Sequence, residues 1–174
     1  MKTILLLRHA KSSWHDARLN DHERPLSGRG ERAAKAMADY VAHKVPRPDL
    51  ILCSTSTRTR QTLAPVIREL GPPTPPISLE STLYLASDAI LLAQLRKVPE
   101  SVSTVLLVGH NDGIADLARA LAGGGAPGAL ATLSEKFPTG ALAVLKLKDR
   151  PWDDLEPGAA ELVDFVRPRD LSVT

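Results

Sequence analysis

Only one cysteine, Cys53, occurs in the 174 residues, so no internal disulfide can form and a cysteine-based zinc site is excluded. Aromatic side chains are scarce, with two each of Phe, Tyr and Trp, too few for a surface that stacks nucleic-acid bases. Neither sign of charge dominates: the formal net charge is +2, and no block of like charges marks a basic tail. Nucleic acid is therefore not an expected partner. Long apolar runs are missing too. The N-terminal "ILLL" places only four apolar residues before Arg8, far short of a signal peptide's apolar region or a membrane span. The expectation is a single cytoplasmic domain over 1–174, long enough to bury a proper core and not attached to a membrane.

Three segments share one design. "TILLLRH" (3–9), "DLILCST" (49–55) and "TVLLVGH" (104–110) are continuous apolar runs without alternation, the pattern of strands buried on both faces in a parallel sheet. Cys53 lies inside the second run and reads as a small core residue. Helical spacing fills the gaps. Residues 29–44 place Ala33, Ala36, Met37, Tyr40 and Val41 on one stripe behind an N-cap at Ser27, 87–97 open with Ser87 and Asp88, and a further helix covers 112–122. "GPPTPP" (71–76) reads as a stiff connection and "GGGAPG" (123–128) as a flexible loop. Residues 140–147 and 159–168 read as an antiparallel strand pair at the edge of the sheet. Strands alternating with helices give a three-layer α/β/α fold around a mostly parallel sheet.

The strand ends carry the chemistry. The first run ends in Arg8-His9, the second leads to Arg58, and the third ends in Gly109-His110. Open α/β sheets bind ligands at the carboxyl ends of their strands, so three distant pieces of chain converge on one pocket. Two guanidiniums match phosphate oxygens in bidentate fashion, and Arg58 sits where a helix should start, adding main-chain N–H groups to the attraction for an anion. Nearby positive charge holds an imidazole neutral. One neutral histidine can attack phosphorus covalently while the other stabilises the charge on its oxygens. The arginines supply the charge a metal would, and no metal or cofactor is expected. His15, His22 and His43 are read as ordinary polar residues.

These residues resemble a known family. "LLLRHAKS" is similar to the Arg-His signature of the histidine phosphatase (phosphoglycerate mutase-like) superfamily. "CSTSTRTRQT" resembles its Ser-x-x-x-Arg-x-x-Gln-Thr stretch through Ser54, Arg58, Gln61 and Thr62, and "LLVGHN" its second-histidine motif. The alanine after His9, together with "KSSW", "DHERPLSGRG", "LYLAS", "FPTGALAVL" and "FVRPRDL", resembles the phosphohistidine phosphatase branch called SixA-type. The resemblance implies a phosphoglycerate mutase-like fold, with His9 as the nucleophile and Arg8, Arg58 and His110 completing the phosphate pocket. Many relatives also protonate the leaving group with an acid, for which Glu80 is the best-placed residue and Asp21 the rival. Pro65, inside the helix after Arg58, departs from the pattern and should kink or restart that helix.

The connections between motifs leave little chain for a lid, which favours hydrolysis over a mutase's retention of the phosphoryl group. Lys11 and Ser12, with Ser13 and Trp14, should line the rim and touch the substrate; for Trp14 a loop anchor is an equal reading. The expected activity is metal-independent hydrolysis through a phosphohistidine intermediate, on a phosphohistidine protein. The alternatives are a small phosphorylated metabolite, sugar or nucleotide, or a non-catalytic phosphate-binding module.

Overall fold

The three continuous apolar runs lie side by side at the centre of one sheet. The computed structural model describes residues 1–171. In chain order the strands are β1 (Lys2–Arg8), β2 (Leu50–Ser54), β3 (Ile77–Glu80), β4 (Thr104–Gly109), β5 (Ala122–Gly125), β6 (Leu142–Leu147) and β7 (Ala160–Val166). Their order across the sheet is β3-β2-β4-β1-β6-β7-β5. β1 pairs in parallel with β4, and β4 with β2, so Arg8 and Gly109 are register partners and all three strands end at one rim. β6 runs antiparallel to both β1 and β7.

Both faces are covered, which is why the central strands are apolar at every position. On one face Leu5, Leu7, Ile51, Cys53, Leu106 and Val108 pack against α1 (Gly28–Lys44) and α2 (Thr57–Leu70) through Met37, Val41, Leu63 and Val66. On the other, Ile4, Leu6, Val105 and Leu107 meet α3 (Asp88–Arg96), α4 (Gly113–Leu121) and α5 (Pro127–Glu135) through Leu91, Leu95, Ile114, Leu117 and Leu133. Cys53 is buried in the first layer, and desolvation pushes its thiol up to about 12, so it is inert core. The caps read from sequence are present: Ser27 accepts from Gly30 N–H at 3.0 Å, and Ser87 from Ile90 N–H at 3.4 Å. Among the described residues no helix is long and apolar enough to cross a membrane.

Two local expectations are corrected, and one strand appears that the sequence reading did not include. "GGGAPG" is no loop: its glycines form β5, which pairs in parallel with β7 outside the antiparallel pair, and its Pro-Gly opens α5. Gly125 (φ 152°) lies so close to β7 that an added Cβ would stand 2.2 Å from the Leu162 carbonyl oxygen, so only glycine permits the pairing. A strand without side chains has no apolar signature to read. Next, Ile77–Glu80, after the proline-rich connection, is strand β3, registered against β2 with Glu80 opposite Ser54. Last, α2 runs through Pro65 without restarting. Leu63 and Val66, buried either side of it, hold the helix against the loss of one main-chain hydrogen bond.

Candidate active site

β1 delivers Arg8 and His9, the start of α2 delivers Arg58, and the end of β4 delivers His110. The structure brings all four together. His9, Arg58 and His110 are 7%, 3% and 2% exposed. The two imidazole centroids lie 5.4 Å apart, and the Arg58 guanidinium reaches 3.5 Å from His110 Nδ1.

The His9 ring is fixed in one tautomer. Its Nδ1 lies 2.7 Å from the Ala10 carbonyl oxygen, which can only accept, so Nδ1 carries the proton and Nε2 keeps its lone pair. Ala10 is itself anchored, its N–H donating at 3.0 Å to Thr62 Oγ1, which donates in turn to the Arg58 carbonyl at 2.7 Å. The motif residue Thr62 thus ties the strand end at His9 to the helix of Arg58. Burial, followed by the positive field of Arg58 and Arg8, outweighs the Ala10 hydrogen bond and holds His9 down to about 4. Burial and then the neighbouring His9 and Arg58 bring His110 to about 3. Both rings are neutral at pH 7.

Arg8 donates through Nη1 to the Phe137 carbonyl at 2.8 Å, which Asn111 Nδ2 also reaches at 3.2 Å. Arg8 Nε and Arg58 Nε are buried without an acceptor among the described residues. Unpaired guanidinium donors are costly to bury, and an anion between the arginines would relieve that cost. Ser54 Oγ lies 2.8 Å from His110 Nε2; since the Arg58 guanidinium can only donate, His110 Nδ1 is its acceptor and Nε2 carries the proton, donating to the Ser54 hydroxyl. The other motif residue, Gln61, accepts from Leu26 N–H through Oε1 at 2.8 Å and ties the segment before α1 to α2.

Asp21, weighed in sequence as an acid, occupies another role. Its Oδ2 accepts from Arg58 Nη2 at 2.9 Å and from the Tyr84 hydroxyl, and its carbonyl accepts from Arg58 Nη1 at 2.6 Å. Desolvation pushes the carboxyl up, but the hydrogen bonds from Tyr84 and Arg58 win and hold it well below the usual range. It has no proton to give at neutral pH. Glu80 is half-buried on β3, with Oε1 accepting from Ser78 Oγ at 2.6 Å, and it makes no hydrogen bond to the four core residues. Ser12 Oγ accepts from Arg24 Nη1 at 2.8 Å, while Lys11 is exposed.

Sequence reasoning missed Tyr84, Arg24 and His22. Tyr84 stands edge-on to His110 at 5.3 Å and to His22 at 4.8 Å, and His22 Nε2 lies 2.9 Å from Thr55 Oγ1. Arg24 holds Asp21 Oδ1 through Nη2 at 3.1 Å, and the exposed Trp14 ring stacks on it at 3.4 Å. Trp14 is thus an anchor for Arg24. The run "DHERP" concentrates charge beside the first motif, the one signal that could have flagged this group. Away from this site, Asp39, His43 and Glu69 converge on the exposed faces of α1 and α2 and share no residue with it.

Comparison with known proteins agrees with the geometry. The profile of the Histidine phosphatase superfamily (branch 1) matches residues 4–83. An uncharacterized protein of Mycobacterium tuberculosis is 41% identical over 165 residues, which are 94% of this chain and 100% of the relative. The structure of a proposed phosphohistidine phosphatase SixA from Nakamurella multipartitia superposes with a TM-score of 0.81 at 31% identity, covering 96% of each chain. Another proposed SixA, from Agrobacterium tumefaciens, gives 0.81 at 33% identity, covering 96% of this chain and 98% of that one. The chain belongs to the histidine phosphatase superfamily, in its SixA-type branch with a phosphoglycerate mutase-like fold, and is a phosphatase.

Proposed function

We propose that this phosphatase hydrolyses phosphohistidine on proteins through a covalent intermediate on His9. The observation that carries the substrate choice is the state of the two carboxylates. Asp21 is ionised and bound to Arg58, and Glu80 is held by Ser78, so among the described residues no carboxylic acid is bonded into the cluster to protonate a leaving group. General-acid assistance is worth about 10² to 10⁴ in rate. An alkyl phosphate needs that help because an alkoxide leaves poorly. Phosphohistidine protonated on its other ring nitrogen expels a neutral imidazole and needs none.

The steps follow from the fixed tautomer. His9 Nε2 attacks phosphorus, forming the N–P bond as the bond to the substrate's imidazole breaks. The His9 ring, still protonated at Nδ1, then carries positive charge, which its hydrogen bond to the Ala10 carbonyl disperses. Arg8, Arg58 and His110 take up the negative charge spread over the phosphoryl oxygens. Water next attacks phosphorus and the N–P bond breaks. The electron pair returns to Nε2, and the water's protons leave with orthophosphate, so His9 is again neutral.

The deciding experiment compares kcat/KM for a phosphohistidine peptide with that for a panel of sugar and nucleotide phosphates, with and without chelator. Phosphohistidine should lead alkyl phosphates by at least about 100-fold, His9→Ala should be inactive, and quenched turnover should leave acid-labile, base-stable phosphate on His9. Equal or better turnover of a metabolite overturns the substrate, and chelator-sensitive turnover overturns the mechanism.

A further inference from the structure

Beside the pocket lies a second, basic cleft of about 230 Å³, lined by Lys11, Arg29, Arg167 and Arg169 together with Pro138, Thr139 and neighbouring apolar atoms, with no acidic residue in its walls. The whole chain has a formal net charge of only +2, so four cations around one cleft are a local concentration. Arg167 is neutralised by a two-point pair with Asp170, at 3.0 and 2.8 Å. Lys11, Arg29 and Arg169 have no ion pair or side-chain hydrogen bond among the described residues, and each is exposed.

The walls are braced to the strand end that carries the nucleophile. Lys11 follows His9 by two residues, and its carbonyl accepts from Ser27 N–H at 2.9 Å, fixing it on the start of α1, where Arg29 stands. The segment bearing Pro138 and Thr139 ends at Gly140, whose N–H donates to the His9 carbonyl at 2.9 Å. Pro168, between the two C-terminal arginines, comes within 3.0 Å of where a Cβ on Gly140 would lie. An extended chain advances about 3.3 Å per residue, so a substrate segment leaving the His9 pocket reaches this cleft within a few residues.

We propose that the cleft docks an acidic segment of the protein substrate, a few residues from the phosphorylated side chain, and so sets specificity among phosphoproteins. This rests on the phosphoprotein reading above, because a metabolite would not extend so far. The three free cations are exposed to solvent, so each adds little and the sum is screened by salt.

Two arms test it. In the first, a fluorescein-labelled, unphosphorylated peptide rich in Asp and Glu is titrated with the full chain by anisotropy at low salt. Arg29→Ser with Arg169→Ser should weaken binding about tenfold, as should raising the salt to about 0.5 M. Unchanged binding in the variant, no binding by the natural chain, or tighter binding of an oligonucleotide of equal length overturns the proposal. In the second, phosphohistidine peptides with acidic or glutamine flanks are compared. The natural protein should favour the acidic flank by about tenfold in kcat/KM, the double variant should show no preference, and both should turn over p-nitrophenyl phosphate equally. A preference that survives the substitutions counts against the cleft. If no phosphohistidine peptide is hydrolysed, the substrate reading fails while the binding arm still decides the cleft.

Discussion

Asp21 grips Arg58 twice, with Oδ2 2.9 Å from Nη2 and the main-chain carbonyl 2.6 Å from Nη1. Arg58 is almost fully buried and Asp21 is partly open to solvent, so the carboxylate aims the guanidinium and balances its charge.

Asp21→Asn keeps the shape and removes the charge. Because Asp21 is partly open to solvent, the expected loss in kcat/KM is about tenfold, roughly 1.4 kcal/mol, and it should be the same for aryl phosphates with good and poor leaving groups. A loss that grows steeply with leaving-group pKa would instead make Asp21 a proton donor.

Neutral His9 and His110 have consequences for stability as well as chemistry. In an unfolded chain a histidine titrates near about 6.5; folded, His9 titrates at about 4 and His110 at about 3. Below about 6.5 the unfolded chain therefore binds protons that the folded protein refuses, and stability falls progressively down to about pH 3, where His110 titrates in the folded protein, while above pH 7 these rings have no effect. Asp21, held low, adds to the loss at the acid end of that window. Urea midpoints should drop between pH 7 and pH 4.5, and His9→Gln with His110→Gln should flatten that drop. Ring NMR signals of His9 and His110 should stay constant from pH 8 to about 5; titration of either near 6.5 would contradict the neutral pocket.

The catalytic frame is legible in sequence because it obeys a strong rule. A strand covered on both faces must be apolar throughout, so β1, β2 and β4 announce themselves, and so does the polar residue at each end. β3 and β5 follow no such rule: one is a four-residue strand with Ile77 and Leu79 exposed, the other is mostly glycine. The brace around Arg58 is illegible for another reason. Tyr84 meets Asp21 across 63 positions of chain, and nothing in either neighbourhood reports the partner. The setting of Asp21 is illegible for the same reason, since a carboxylate's protonation state depends on what touches it.

Ser54 offers a test of the second histidine. It is fully buried, and its hydroxyl is the hydrogen-bond partner of His110 Nε2. Ser54→Ala leaves that nitrogen unpaired in the core, at a cost of about 1 to 3 kcal/mol in stability. It also frees the ring to turn, so kcat should fall about tenfold or more with KM little changed, a loss confined to the transition state. Ser54→Thr should restore part of kcat if the hydroxyl is what orients the ring, and a Thr variant no better than Ala speaks for simple packing.

Gly30 fixes the distance between α1 and the segment after His9. A Cβ there would lie 2.0 Å from the Lys11 carbonyl oxygen, which already accepts from Ser27 N–H at 2.9 Å and from its hydroxyl at 3.2 Å. The obstacle is main chain, so no rotamer change relieves it, and Gly30→Ala must push residues 10–12 away from the helix. The expected cost is about 1 to 3 kcal/mol. Ser27→Ala removes the cap without the clash and should cost about 1 kcal/mol. The two should differ in activity as well. Moving the backbone beside Ala10 disturbs the carbonyl that holds His9 Nδ1, so Gly30→Ala should lower kcat on p-nitrophenyl phosphate while Ser27→Ala leaves it unchanged. Equal kcat in the two variants would mean that the position of His9 does not depend on this contact.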